Sequence, residues 1–345
     1  MKIRDTMKKY SLASSILLMC CASSLHAQSN VQIFGIIDTF MQYTNTGKGY
    51  TPTLDSSGLY GSRWGVKGGE DLGDGLRTDF MLEQGFKADT GQAADPTRIF
   101  SRQSWIALSS KLGQVRIGRQ NSLMFINESK IDPFYGATMA SGLNNFSTYT
   151  VRTDKTISYF SPQIGNFLYQ TYYGFGDTGG AKSANGNFQA AINYDTEKLH
   201  LAGAYQAVRN ALNTDTQKVL FAGGNYAFDG FKTFLGYHHA ISKLANINKD
   251  VLQLAFQFVV TPVSTVSVSY AYVEDHTPLR NNASEVGLMY LYNLSKRTQL
   301  YSTLSYLKNT NTGTYTLGGA AVAGLALASP GASARGMQLG IAHFF

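Results

Sequence analysis

Past residue 27 the 345-residue chain holds no cysteine, because both of its cysteines, Cys20 and Cys21, fall near the N-terminus. Such a chain forms no disulfide, carries no thiolate nucleophile and offers no thiolate metal site. Only 15% of the residues are charged and only 7 are proline. Beyond residue 27 no apolar run approaches the roughly 18 residues that a transmembrane helix needs. Present instead are 21 tyrosines, 20 phenylalanines and 35 glycines. That composition favours extended, turn-punctuated backbone over helix.

The N-terminus reads as an export signal: Lys8 and Lys9 precede an apolar stretch from Ile16 to Ala22, and the small residue Ala27 closes the segment. Residues 1–27 are therefore expected to be removed, leaving 28–345 as a single domain. Met19, directly before Cys20, argues against a lipoprotein. The segment carries Lys2, Arg4, Lys8 and Lys9 against Asp5, so its loss lowers the formal charge of +7 by 3, to +4. A balance this mild does not suit a dedicated nucleic-acid binder.

What remains alternates with a period of two. Residues 265–275 place Val266, Val268, Tyr270 and Tyr272 on one face and Ser267, Ser269 and Ala271 on the other. Phe167, Tyr169, Tyr173 and Phe175 share a face in 166–176, as do Phe188, Ile192 and Tyr194 further on. The ending GMQLGIAHFF does the same, with Met337, Leu339, Ile341, His343 and Phe345 together. Short turns such as 72–75 and 229–230 alternate with longer polar links, including 44–61, 120–154 and 311–334. The alternation predicts sixteen antiparallel strands in an up-and-down order.

A sheet that is apolar outside and polar inside meets lipid, where every unpaired backbone group costs several kcal/mol, so it must close. The expected fold is an all-β, 16-stranded antiparallel transmembrane β-barrel whose last strand pairs with the first, at 31–40. A barrel of that size leaves a lumen too wide for side chains to fill. It encloses a water-filled hole.

The stretches SRWGVKGGEDLGDGLRTDFMLEQGF (62–86), RQSWIALSSKLGQVRIGRQ (102–120) and YNLSKRTQLY (292–301), with a terminal strand ending on His343 and Phe345, resemble the trimeric general porins of Gram-negative outer membranes. The resemblance covers essentially the whole chain after residue 27. It implies a homotrimer in the outer membrane, passing small hydrophilic solutes and touching lipid and lipopolysaccharide. It also implies that His343 and Phe345 belong to the signal read by the barrel-assembly machinery. Phe344 departs from the family, which more often has a basic residue there.

The same resemblance makes the link 120–154 an inward-folded third loop, with DPFYG (132–136) as its recurring turn, and places Glu128 and Asp132 as constriction carboxylates. Arg63, Arg102 and Arg152 match the constriction arginines opposite. Strand parity, with Trp64 and Val66 toward lipid, turns Arg63 and Lys67 to the lumen. It also puts Arg77 and Arg116 on the inner wall, with Asp79 and Glu83 as wall acids. Any one of these arginines alone reads equally well as a surface ion pair of small worth. Bases outnumber acids in the set, which predicts a mild anion preference.

No catalytic residue, cofactor or metal is expected. His238 and His239 are adjacent and so point to opposite faces of a strand, and the histidines show no grouping of the kind a serine hydrolase needs. Other readings stay open: a channel with a solute-binding site, an outer-membrane hydrolase, or a plugged structural barrel. The apolar stretch 320–328 fits either a cover over the pore mouth or a contact with lipopolysaccharide.

Overall fold

Alternating side chains leave the backbone one way to satisfy its hydrogen bonds in lipid, and the computed structural model adopts it. The structure describes residues 30–176 and 184–345. The expected export segment 1–27, with both cysteines, and most of the link 177–186 lie outside the described residues.

Strands β1 (Asn30–Asn45), β2 (Tyr50–Ser56), β3 (Arg63–Gly73), β4 (Leu76–Gly85), β5 (Gln103–Ser110) and β6 (Gly113–Asn121) lead to the longest connection. Beyond it run β7 (Arg152–Phe160), β8 (Phe167–Gly174), β9 (Asn187–Asp195), β10 (Leu199–Arg209), β11 (Thr216–Ala227) and β12 (Phe231–Ser242). The chain finishes with β13 (Ile247–Thr261), β14 (Ser264–Asp275), β15 (Ala283–Asn293), β16 (Thr298–Asn309) and β17 (Ala334–Phe344). β17 returns to β1, with Ile36 opposite Phe344 and Asn45 opposite Arg335, and the barrel is closed.

β2 and β3 share one lane. β2 pairs with residues 39–45 of β1 and β3 with residues 30–36, so seventeen segments make sixteen crossing strands. The link expected over 44–61 is thus partly strand. Only 57–62 leave the wall, as a bulge.

The seam closes on the last residue. Gly35 and Phe345 exchange backbone hydrogen bonds of 3.0 and 3.1 Å, and any Cβ on Gly35 would run into the Phe345 ring. Tyr169, Tyr173, Tyr270, Ile341 and Leu339 are exposed on the outer face, while Gln170, Ser267, Ala271, Gln338 and Ala342 are buried inside. These are the two faces the period of two separates.

Residues 122–151 lie against the inner wall. Ser122 caps the short helix Leu123–Glu128 by accepting the Phe125 N–H, and Ser141 caps Gly142–Phe146 in the same way. Leu123, Met124, Ile131, Phe134, Met139, Leu143 and Phe146 are fully buried. The wall makes room for them with small inward residues, among them Ala191, Ala202, Ala204 and Ala240.

The inward glutamines and asparagines of the wall answer the loop's backbone, as buried polar groups require. Gln189 accepts the Leu123 N–H, Gln253 the Leu143 N–H and Gln206 the Thr150 N–H. The passage left open beside the loop is lined by residues of β3 to β7 and, beyond the loop, by Asp195, Asn225, Lys232 and Gln257.

Candidate functional site

The passage narrows at a cavity of about 970 Å³. Arg63, Glu83, Arg102 and Arg152 line one side, and Phe125, Lys130, Asp132, Tyr135 and Tyr149 of the loop line the other. Strand parity brings the basic side together. Arg63 faces in from β3 and Glu83 from β4, where Arg63 sits opposite Gly85. Glu83 is buried and holds two cations at once, with Arg102 Nε at 2.8 Å and Arg63 Nε at 3.4 Å. Arg152 Nε donates to Asn121 Oδ1 at 3.0 Å, and its guanidinium lies 5.9 Å from the Phe125 ring centre. Two arginines therefore share one carboxylate, and the third lines the same cavity beside them.

The loop acids behave differently from the expectation. Glu128 does not reach the cavity: it is buried, with Oε2 3.0 Å from His238 Nδ1, and so fastens the loop to β12. Asp132 borders the cavity, but its carboxylate is turned away. It accepts the backbone N–H of Phe134 and Gly136, the Ser141 hydroxyl and the Gln253 amide. Burial pushes its carboxyl up to about 6. The carboxylate wall expected from Glu128 and Asp132 is thus a pair of internal fasteners, Asp132 answering the loop's own N–H groups and Glu128 the His238 ring.

Lys67 also lies elsewhere. It lines a separate cavity with Arg77, Asp79 and Trp105, four residues along β3 from Arg63, or about 13 Å at strand rise. Arg77, Asp79 and Arg116 belong to that lower part of the wall too, Arg77 being paired to Asp79 at 2.8 Å.

Two further segments fold inward, the bulge 57–62, which was not expected, and the apolar stretch 320–328, expected either over the pore mouth or against lipopolysaccharide. The bulge 57–62 is drawn in by Asp38, which accepts the N–H groups of Gly58, Leu59 and Tyr60 and the Tyr301 hydroxyl at 2.7 Å. The available signal was Asp38, the one acid of the first strand, on its inward parity. Tyr60 then stands 5.5 Å from Tyr135 and 5.1 Å from Phe344, ring centre to ring centre, which gives Phe344 its place. Burial pushes both tyrosine hydroxyls up, so they stay neutral beside the arginines.

The second segment is the apolar stretch in the last long link. Gly318 N–H donates to Asn145 Oδ1 at 3.0 Å, Ala328 N–H to the Thr46 carbonyl at 2.9 Å, and Ala320 and Ala321 line the cavity. It folds inward against residues 144 and 145 of the loop and borders the cavity. His238 faces the lumen and His239 the outside, bound to Asp250 at 2.6 Å, so the two share nothing. At the seam His343 Nδ1 meets the Thr298 hydroxyl at 2.9 Å.

A sequence profile described as Gram-negative porin matches residues 13–312. The chain belongs to the Gram-negative porin family. It is 31% identical to outer membrane porin protein 32 of Delftia acidovorans, over 98% of this chain and 100% of the relative. A Bordetella pertussis outer membrane porin is 30% identical, over 88% and 95%. The solved anion-selective porin of Comamonas acidovorans superposes with a TM-score of 0.80 at 27% identity, covering 92% of this chain and all of that one. A Vibrio cholerae protein in its trimer form shares the fold at 16% identity with a TM-score of 0.71. This porin is a multi-pass protein of the outer membrane, and its barrel encloses a water-filled passage for small hydrophilic solutes.

Proposed function

We propose that the porin is a passive, mildly anion-preferring diffusion channel whose constriction is formed by residues 122–151 against Arg63, Arg102 and Arg152. The observation that carries this reading is the gathering of Arg63, Arg102 and Arg152 on a wall where Glu83 pairs with only two of them, with both loop acids turned away from the passage. Lys130 and Lys232 add positive charge to the same lining, against one further acid, Asp195, which is bonded to His200. Fixed cations in a narrow passage raise the local concentration of anions, and polar walls reject apolar solutes that must shed ordered water to enter. The similarity to an anion-selective porin points the same way.

The porin works as a channel rather than as an enzyme, with no energy source and no cofactor. It assembles as a homotrimer after removal of residues 1–27, contacts lipid and lipopolysaccharide on its outer face, and offers Phe345 and His343 to the barrel-assembly machinery. Planar-bilayer recording of the triple variant R63Q/R102Q/R152Q tests the constriction. The anion preference disappears while the channels still open, whereas an unchanged preference would refute the role of these three residues. Native electrophoresis and the mass of the purified chain test the trimer and the cleavage.

A further inference from the structure

Below the constriction, toward the end where the connections are short and which therefore faces the periplasm, the inner wall carries a second basic group. A cavity of about 210 Å³ is lined there by Lys67, Arg77, Asp79, Trp105 and Gln114, among others. Register explains the grouping, since Lys67 stands opposite Met81 and Met81 opposite Trp105, all three facing inward. Arg116, one step nearer the turn on β6, lays its guanidinium between the rings of Trp105 and Phe160, at 4.6 and 4.3 Å.

The charges here do not balance. Asp79 is taken by Arg77, and Gly69, whose missing side chain would otherwise collide with both, leaves room for that pair. Asp71, opposite Arg77 at the turn, accepts the Gly73 N–H. Arg116 Nε donates to Gln114, and among the described residues its terminal nitrogens make no hydrogen bond or ion pair. Lys67 has the Phe34 ring beneath it, 5.2 Å away, and among the described residues no acid is bonded to it. Asp79, already paired to Arg77, is the acid near enough to act on Arg116, so two cations without an ion pair of their own border the cavity that Trp105 lines. Aromatic faces hold cationic side chains in place while leaving their hydrogen-bond donors free for an anion.

We propose that Lys67 and Arg116, held around Trp105 and bordered by the Arg77–Asp79 pair, form a second anion-binding station of the channel, separate from the constriction and open to the periplasmic mouth. Its ligands are small anions, halide or carboxylate, bound singly and weakly. The station receives an anion released by the arginines above, or loads one entering from below. The proposal rests on the reading of the barrel as a channel, but not on the constriction setting its selectivity.

The chain has two tryptophans, Trp64 and Trp105, and Trp64 faces outward. In a W64F protein folded in detergent, Trp105 alone reports the station. Quenching by iodide is compared with quenching by caesium and by neutral acrylamide. Iodide is expected to quench several-fold better than caesium, and added chloride or acetate to compete with it. K67Q, which does not touch the indole, and K67Q/R116Q are expected to cut the iodide constant several-fold while leaving the acrylamide constant unchanged, which also shows that the fold persists.

Equal quenching by iodide and caesium, or an iodide constant unmoved in K67Q/R116Q, would overturn the station. R63Q/R102Q/R152Q separates the two sites: iodide quenching of Trp105 stays in place there even as the constriction loses its charge. Loss of quenching in that variant would mean a single continuous field and no distinct station.

Discussion

Replacing Glu83 by glutamine isolates the one acid that restrains the basic wall. The shape of the side chain is kept and one negative charge is removed, so the cluster of Arg63, Arg102, Arg152 and Glu83 goes from two net positive charges to three. For an anion at roughly 6 Å, a unit charge is worth about 0.7 kcal/mol at the dielectric of water and about 2.8 kcal/mol at an effective dielectric of 20. Even the lower figure is about a threefold gain for the anion and an equal loss for a cation, so about tenfold in anion over cation permeation. Salt must erase it, because the screening length is about 10 Å at 0.1 M and about 3 Å at 1 M. A glutamine offers one carbonyl oxygen where the carboxylate offered two, so one arginine moves, and conductance changes less than selectivity does. The assay is the reversal potential of single channels at low and at high salt. If E83Q leaves anion preference unchanged or lowers it at low salt, the charge ledger of the constriction is wrong.

Other outcomes follow from the fasteners. Y301F takes a donor from buried Asp38 and should cost about 1–3 kcal/mol of stability, seen as a lower denaturant midpoint and as added current noise from the freed bulge 57–62. Asp132 has its carboxyl raised from 3.8 to about 6 by burial. Its contribution to stability is therefore fully present below about pH 4 and lost as pH rises through about 6, so the melting temperature of the wild type relative to D132N should fall over that window. G35L drives a side chain into the Phe345 ring; overpacking of this kind costs about 1–3 kcal/mol and should lower the temperature at which the folded band is lost on unboiled gels.

Much of the barrel was legible because lipid on one side and water on the other force a period of two, and that period is written in residues such as Tyr270, Ala271 and Tyr272. Turn positions followed from the same register. Parity also placed Arg63, Arg77 and Arg116 on the inner wall. Loop chemistry was harder to read, since nothing local to Glu128 says that His238, on a strand far along the chain, will bury it. Asp132 looks the same in sequence whether it faces the lumen or accepts its own loop's N–H groups. The broken lane of β2 and β3 was hidden too, for the bulge between them depends on Asp38 and Tyr301, which meet only once the barrel has closed.

The reversal potential of the wild-type channel across a potassium chloride gradient tests the central claim most directly. Three arginines lining a cavity whose wall acid, Glu83, pairs with only two of them, with Glu128 and Asp132 turned from the passage, predict a potential on the chloride side of zero that shrinks as salt is raised. A potential on the potassium side at low salt would contradict the account.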